Sequence, residues 1–257
     1  MIKYKLLTTL FLVSGILFAQ QVPATKQQKA ILISNVTIHI GNGKVIENGA
    51  ITFENGKITQ VLSMQPAANS SAFEIINGKG KHVYPGFIAP NSTLGLVEID
   101  AVKSSDDEDE IGSFNPHIKS SIAYNAESKV IETVRPNGVL MAQITPRGGR
   151  ISGTSSIVQL DAWNWKEAMI KENDGIHLNF PATFKKNGWW AEPGTSEVNK
   201  EYNKQIEELN TFFVDCKTYQ EAKPLERNLI FESTKGLFDG AQTLYIQIGR
   251  ASCRERV

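Results

Sequence analysis

The chain is short of the side chains that most often carry chemistry. Among 257 residues there are four histidines and two cysteines. One of the cysteines, Cys253, lies in a C-terminal segment set aside below, which leaves Cys216. A single cysteine closes no internal disulfide, so the fold must rest on its apolar core. An excess of one charge is also missing, since 27 basic residues face 27 acidic ones. Apart from residues 6–18 there is no long apolar run, and that one is too short for a membrane-spanning helix.

The two ends read differently from the middle. Residues 1–19 have the form of a signal peptide: Lys3 and Lys5 precede an apolar stretch, and Ala19 is a fitting cleavage residue before Gln20. The expected location is periplasmic or secreted, with no membrane span after cleavage. Residues 248–257 read as a translated library adapter and are treated as non-native, with the native reading ending near Gln247. Setting both ends aside removes Lys3, Lys5, Arg250, Arg254 and Arg256 from the 27 basic residues and Glu255 from the 27 acidic ones, leaving 22 and 26. A mildly acidic mature chain argues against nucleic acid as a partner.

Residues 20–29 are a polar, flexible leader. From 30 onward short alternating strands are separated by tight turns. Ile31, Ile33, Val36, Ile38 and Ile40 mark the first strand, and Gly41-Asn42-Gly43, Asn48-Gly49, Asn55-Gly56 and Asn77-Gly78 are turn signals. His39 and His82 read as ordinary strand positions. Pro85-Gly86 then turns the chain into a new apolar strand at Phe87-Ile88.

The stretch Pro85-Gly86-Phe87-Ile88-Ala89-Pro90-Asn91-Ser92-Thr93 resembles the barrel entry of the amidohydrolase superfamily, P-G-[FLM]-[IV]-D-x-H-x-H. The strands before it resemble that family's small N-terminal β-sandwich almost turn for turn. The block "NGVLMAQITPRGGRISGTSSIVQLDAWNW" at 137–165 resembles exported, imidazolonepropionase-like members. The resemblance implies an α/β fold, with a β-sandwich (composite domain) over 30–84 leading into a TIM-like (β/α) barrel over 85–247. A complete barrel takes about 250 residues, so this barrel is expected to be incomplete. The implied activity is hydrolysis of carbon–nitrogen bonds other than peptide bonds in a small-molecule amide or cyclic amide. It normally uses a divalent metal, zinc above all. The family's two first-strand histidines are replaced here by Asn91 and Thr93, so no metal ligand is placed on that strand. Neutral amide and hydroxyl oxygens hold zinc far more weakly than imidazole nitrogen. The alternative is a non-catalytic barrel that binds a ligand or partners an active relative, as a homo- or hetero-oligomer.

Beyond the entry, 94–102 is apolar and reads as a helix or a loop over the barrel mouth. Residues 106–110 are an acidic run, read as a solvated loop. A helix is expected over 128–134 and a buried strand over 138–145. The Gly-rich segment 146–156 follows that strand at once, and barrel enzymes work from such loops. Arg147, Gly148, Gly149, Arg150, Ser152 and Thr154 are the substrate-binding candidates, because backbone N–H groups and guanidinium forks suit an anionic or carboxylate ligand. His117, after the Asn115-Pro116 turn, is a further candidate at the mouth. No catalytic residue is assigned. A second apolar run at 157–163, a short helix at 163–171 and an extended segment at 176–181 come next, with His177 read as a packed or loop histidine. The Gly188-Trp189-Trp190 cluster reads as a loop. Helices are expected over 196–222 and 225–237, and a strand at 243–246, where the barrel edge is expected to be open.

Overall fold

Apolar residues at every second position need a sheet to bury them, and the first half of the chain supplies one. The computed structural model describes residues 22–64, 72–188, 192–222 and 225–248. Strands β1 (Ala30–His39), β2 (Val45–Glu54), β3 (Lys57–Leu62), β4 (Phe73–Asn77) and β5 (His82–Val83) form one five-stranded sheet. β1 lies at its centre, antiparallel to β2 and parallel to β4 and β5. Its core is Val36, Ile38 and Ile51. Asn35 takes a left-handed backbone (φ 56°) where the β1–β2 register slips between Ile33 and Val36. The expected turn at Asn55-Gly56 joins β2 to β3 with Asn55 at φ 53°, but Asn48-Gly49 is not a turn: β2 runs through it, with Asn48 at φ 49° where the register to β1 slips between Gly49 and Ile46. Asn tolerates this region because its short side chain bonds locally. His39 Nε2 and His82 Nδ1 lie 3.0 Å apart at the surface, and Tyr84 stacks on His39.

The second sheet carries the functional end. It comprises β6 (Phe87–Ser92), β7 (Val139–Ile144), β8 (Ile151–Gln159), β9 (Met169–Asn179) and, after the hairpin β10 (Phe184–Gly188) and β11 (Pro193–Val198), β12 (Thr243–Gln247). The order across it is β12-β9-β8-β7-β6. β6 and β7 run side by side and parallel, with Phe87 opposite Val139 and Ala89 opposite Ala142. β12 is parallel to β9. β8 alone runs the other way, antiparallel to both neighbours. The chain is thus mixed α/β with a curled, half-barrel sheet.

The helices cover one face of this sheet: α1 (Ser120–Ala123), α2 (Lys129–Val134), α3 (Trp165–Ala168), α4 (Tyr202–Ala222), α5 (Leu229–Ser233) and α6 (Lys235–Phe238). Ile131 of α2 and Ala168 of α3 pack with Ala142, Ile144 and Val158. Leu209, Phe212 and Cys216 of α4 pack on Ile151, Ile176 and Leu178. Each aliphatic side chain buried this fully contributes about 1.5–3 kcal/mol. Cys216 is a buried core residue, and burial pushes its thiol pKa up. No helix among the described residues is long and apolar enough to cross a membrane.

Several local expectations need correction. Residues 151–156 are not loop but part of β8, and the strand ends at Gln159 rather than running through 163. The helix expected over 163–171 is only α3, because β9 begins at Met169. The helix expected from 196 begins at Tyr202, since Pro193–Val198 pairs with Phe184–Gly188 as a hairpin. Phe212 of that helix is buried, with Phe213 partly buried beside it. The expected helix over 225–237 is split at Thr234, which ends α5 and caps α6. Residues 94–102 form turns, tied back by a bridge from Val97 to Asp106. The signal peptide, Trp189, Trp190 and residues 249–257 lie outside the described residues.

Candidate functional site

Strands β6, β7, β9 and β12 all end at one edge of the half-barrel, and β8 starts there. In parallel α/β sheets this is the edge where ligands are handled. The apolar alternation explains which side chains point away from the helices. Ile144, Ile176 and Leu244 face the helices, so their neighbours Gln143, His177 and Tyr245 face the other way.

Asp174 organises that second face. It is 4% exposed. Its Oδ2 accepts from Gln143 Nε2 and from the Tyr245 hydroxyl, both at 2.8 Å, and its Oδ1 accepts from Lys171 Nζ at 2.9 Å. Burial alone would raise the Asp174 carboxyl, but the bonds from Lys171, Tyr245 and Gln143 outweigh it and hold the group below the usual carboxylate range. His177 stacks on the Tyr245 ring at 4.8 Å. Burial, helped by the Arg147 charge and opposed by Asp174, lowers His177 to about 4, so the ring is neutral near pH 7.

The network reaches β6 through Gln143, whose Oε1 accepts the Asn91 N–H at 3.1 Å. Arg147 completes the hold on Asn91. Its Nη1 donates to Asn91 Oδ1 at 2.6 Å and its Nη2 to the Asn91 main-chain oxygen at 2.7 Å. Asn91 sits at φ 49°, where the β6–β7 register slips between Ala89 and Ser92. Gln143 and Arg147 together hold its N–H, its carbonyl and its amide oxygen.

The turn that carries Arg147 is fixed from below. Asn179 Nδ2 lies within 3.1 Å of the Gly148 and Gly149 carbonyls and of Ser152 Oγ. Arg150 Nη1 donates to the Asn179 carbonyl at 3.1 Å. Gly148 and Gly149 both have positive φ, 76° and 56°, which glycine adopts without strain. The Arg147 N–H donates to the Glu108 carbonyl, so the acidic loop lies against the turn. Burial and Asp106 raise the Glu108 carboxyl, while Arg147 pulls it down. Asp109 pairs instead with Lys103 at 2.6 Å.

No family model matches the chain. The amidohydrolase of Thermotoga maritima MSB8 superposes on 86% of this chain and 59% of its own, with a TM-score of 0.72 at 20% identity. The fold is the amidohydrolase fold. A 50-residue stretch is 46% identical to the imidazolonepropionase of Bacillus cereus, covering 20% of this chain and 12% of that protein. A putative prolidase from Bifidobacterium longum aligns over 26% of this chain and 17% of its own at 25% identity, and its TM-score of 0.24 carries no argument. The chain therefore spans about three-fifths of its amidohydrolase neighbour and about an eighth of its imidazolonepropionase relative.

Within the amidohydrolase fold, the sequence candidates separate into two groups. Asn91, Arg147, Gly148, Gly149, Arg150 and Ser152 come together at the strand ends through the contacts above. Thr93 lies just past β6 in a turn, its carbonyl accepting from Leu96 and Val97. Thr154 is committed elsewhere, its hydroxyl donating to the Pro116 carbonyl at 2.8 Å. His117 lines a separate cavity of about 630 Å³ with Lys119, Glu172 and Arg227. Gln143, Asp174, Lys171 and Tyr245 were missed. The one sequence signal for them was Gln143, a polar residue inside an apolar strand run, which needs a buried partner.

Members of the resembling family hold a divalent metal at these strand ends, and the residues present do not fit one. Among the described residues no three His, Cys, Asp or Glu side chains gather to hold an ion. Asn91 Oδ1, at the first ligand position, already accepts from a guanidinium. Two unit charges 4 Å apart near a protein surface repel by about 4 kcal/mol, and a divalent ion beside Arg147 by about twice that.

Proposed function

We propose that this chain is the N-terminal part of an exported amidohydrolase-like protein that cleaves carbon–nitrogen bonds, other than peptide bonds, in small amides or cyclic amides. The observation that carries the reading is the fold likeness to an amidohydrolase over 86% of the chain. The parallel β6–β7 pair at the Pro85-Gly86 entry and the 50-residue likeness to an imidazolonepropionase support it. In this reading the first sheet is one layer of the composite β-sandwich, and the second is the opening half of a TIM-like barrel. Any metal ligands lie on later strands, and the fragment by itself is inactive. Sequencing the gene beyond codon 246 tests this: further strand–helix repeats with histidines at strand ends are expected.

A second reading is favoured by the Arg147–Asn91 contact: a barrel that binds a ligand, or pairs with an active relative, without turning anything over. One experiment separates the two. The protein expressed from its native gene is assayed against a panel of lactams, cyclic imides and imidazolone-type rings, with and without added zinc or manganese. Metal-dependent ring opening supports the hydrolase. Saturable binding with no turnover under any metal supports the binding barrel. Export is checked by finding the mature protein in the periplasmic or extracellular fraction with Gln20 at its N-terminus.

A further inference from the structure

We propose that the Arg147 guanidinium, clamped on Asn91 at the end of β6, anchors a site for a small-molecule carboxylate in the place where a metal ion would otherwise act. The inference rests on the reading of these strand ends as a ligand site, and does not require turnover.

Three features carry it. A guanidinium offers five N–H donors in one plane. Arg147 spends its Nη1 and Nη2 contacts on Asn91, which fixes the plane and leaves the remaining hydrogens directed elsewhere. An arginine already locked in one orientation loses little entropy when a carboxylate arrives, and a planar fork matches a carboxylate better than a point charge does. The same turn supplies two more donors, because among the described residues neither the Gly148 nor the Gly149 N–H has a protein acceptor, and both glycines are exposed. The adjoining His177 and Tyr245 rings offer an uncharged wall for the body of a ligand.

Two acids of the loop lie against the turn: Asp109, whose Oδ2 comes within 3.7 Å of a Cβ built at Gly148 but which pairs with Lys103, and Glu108, whose carboxyl Arg147 pulls down. Glu108 weakens an incoming anion without cancelling the fork, since no hydrogen bond joins its carboxylate to Arg147 among the described residues. Removing its charge should therefore tighten carboxylate binding.

The test uses the whole chain and two matched probes, N-acetylglycine and the neutral N-acetylglycinamide, titrated by calorimetry. N-acetylglycine is expected to bind saturably and at least tenfold tighter than its amide. Arg147→Gln should erase that preference, Arg147→Lys should reduce it, and Glu108→Gln should strengthen it two- to threefold. If Arg147→Gln does not fold, Asn91→Gly serves instead. It keeps the left-handed backbone and the Nη2 bond to the main-chain oxygen but removes the Oδ1 that orients Nη1, so it should loosen the fork and weaken N-acetylglycine. Equal affinity for the two probes overturns the proposal. So does an undiminished preference in Arg147→Gln, or one zinc per chain that Asn91→Gly removes. Loss of the carboxylate site leaves the hydrolase reading standing, and absence of turnover leaves the carboxylate site standing.

Discussion

The Tyr245 hydroxyl donates to Asp174 Oδ2 at 2.8 Å across 71 residues of chain, joining β12 to β9 through one buried carboxylate. A hydrogen bond to an ionised group is worth about 1.5–3 kcal/mol when both partners are well placed. Tyr245→Phe removes this one while leaving Gln143 and Lys171 on the same carboxylate. It should lower stability by about 1–2 kcal/mol in urea denaturation. Asp174→Asn should cost more, because it also unpairs Lys171 and disturbs the Gln143 contact that leads to Asn91.

Two acid-sensitive windows follow from the same face. Asp174 has a depressed folded pKa, so its contribution is fully present above its ordinary value near 4 and is lost as pH falls toward the folded value. His177 works over a different range. Its folded pKa is about 4 against an ordinary 6.5, so the unfolded chain binds a proton that the native chain refuses. Stability should therefore fall between pH 6.5 and 4, by roughly 2 kcal/mol once solvent screening is allowed for. His177→Gln should flatten that span and leave the loss below about pH 4 in place. Urea midpoints measured across about pH 3–7 check both.

Gly175 lies in β9 where β12 comes closest. A Cβ there would strike the Thr243 carbonyl and the Tyr245 ring. Gly175→Ala should cost about 1–3 kcal/mol, as overpacking does. It should also loosen β12, which amide hydrogen exchange at residues 243–247 would detect.

β12 ends the sheet and pairs on one side only among the described residues. Ile246, 50% exposed, sits on that open edge. Unpaired edges recruit other strands, and lysine is a common way of blunting them. Ile246→Lys should raise the concentration at which the chain aggregates, read by light scattering, with little change in melting temperature.

The entry to the second sheet was legible because its signals are local. A Pro-Gly turn forces a new element at Phe87, and the apolar run at 139–144, interrupted only by Gln143, has the length of a strand. Their parallel pairing followed from the family likeness those residues carry. The reversal of β8 was not legible, because Gly148-Gly149 and the serines after it have loop composition, and only burial between β7 and β9 makes 151–156 a strand. Asn173-Asp174-Gly175 likewise has the composition of a turn, yet β9 runs through it with Asn173 at φ 53°. The Asp174 network was hidden for the same reason. Its members are spread over three strands, and no spacing rule connects Gln143, Asp174 and Tyr245. Of the candidate site, the turn 147–150 was singled out from its chemistry. What holds Arg147 in position emerged only when β6 was seen beside it.

The antiparallel course of β8 has a mechanical meaning. β7 stops at Ile144 and β8 begins at Ile151, so the segment bearing Arg147 is moored at both ends to adjacent paired strands. A tether that short cannot swing shut like a flap. If Arg147 anchors a carboxylate as proposed, selectivity would rest on the fit of the visitor to a fixed cation rather than on closure of this turn.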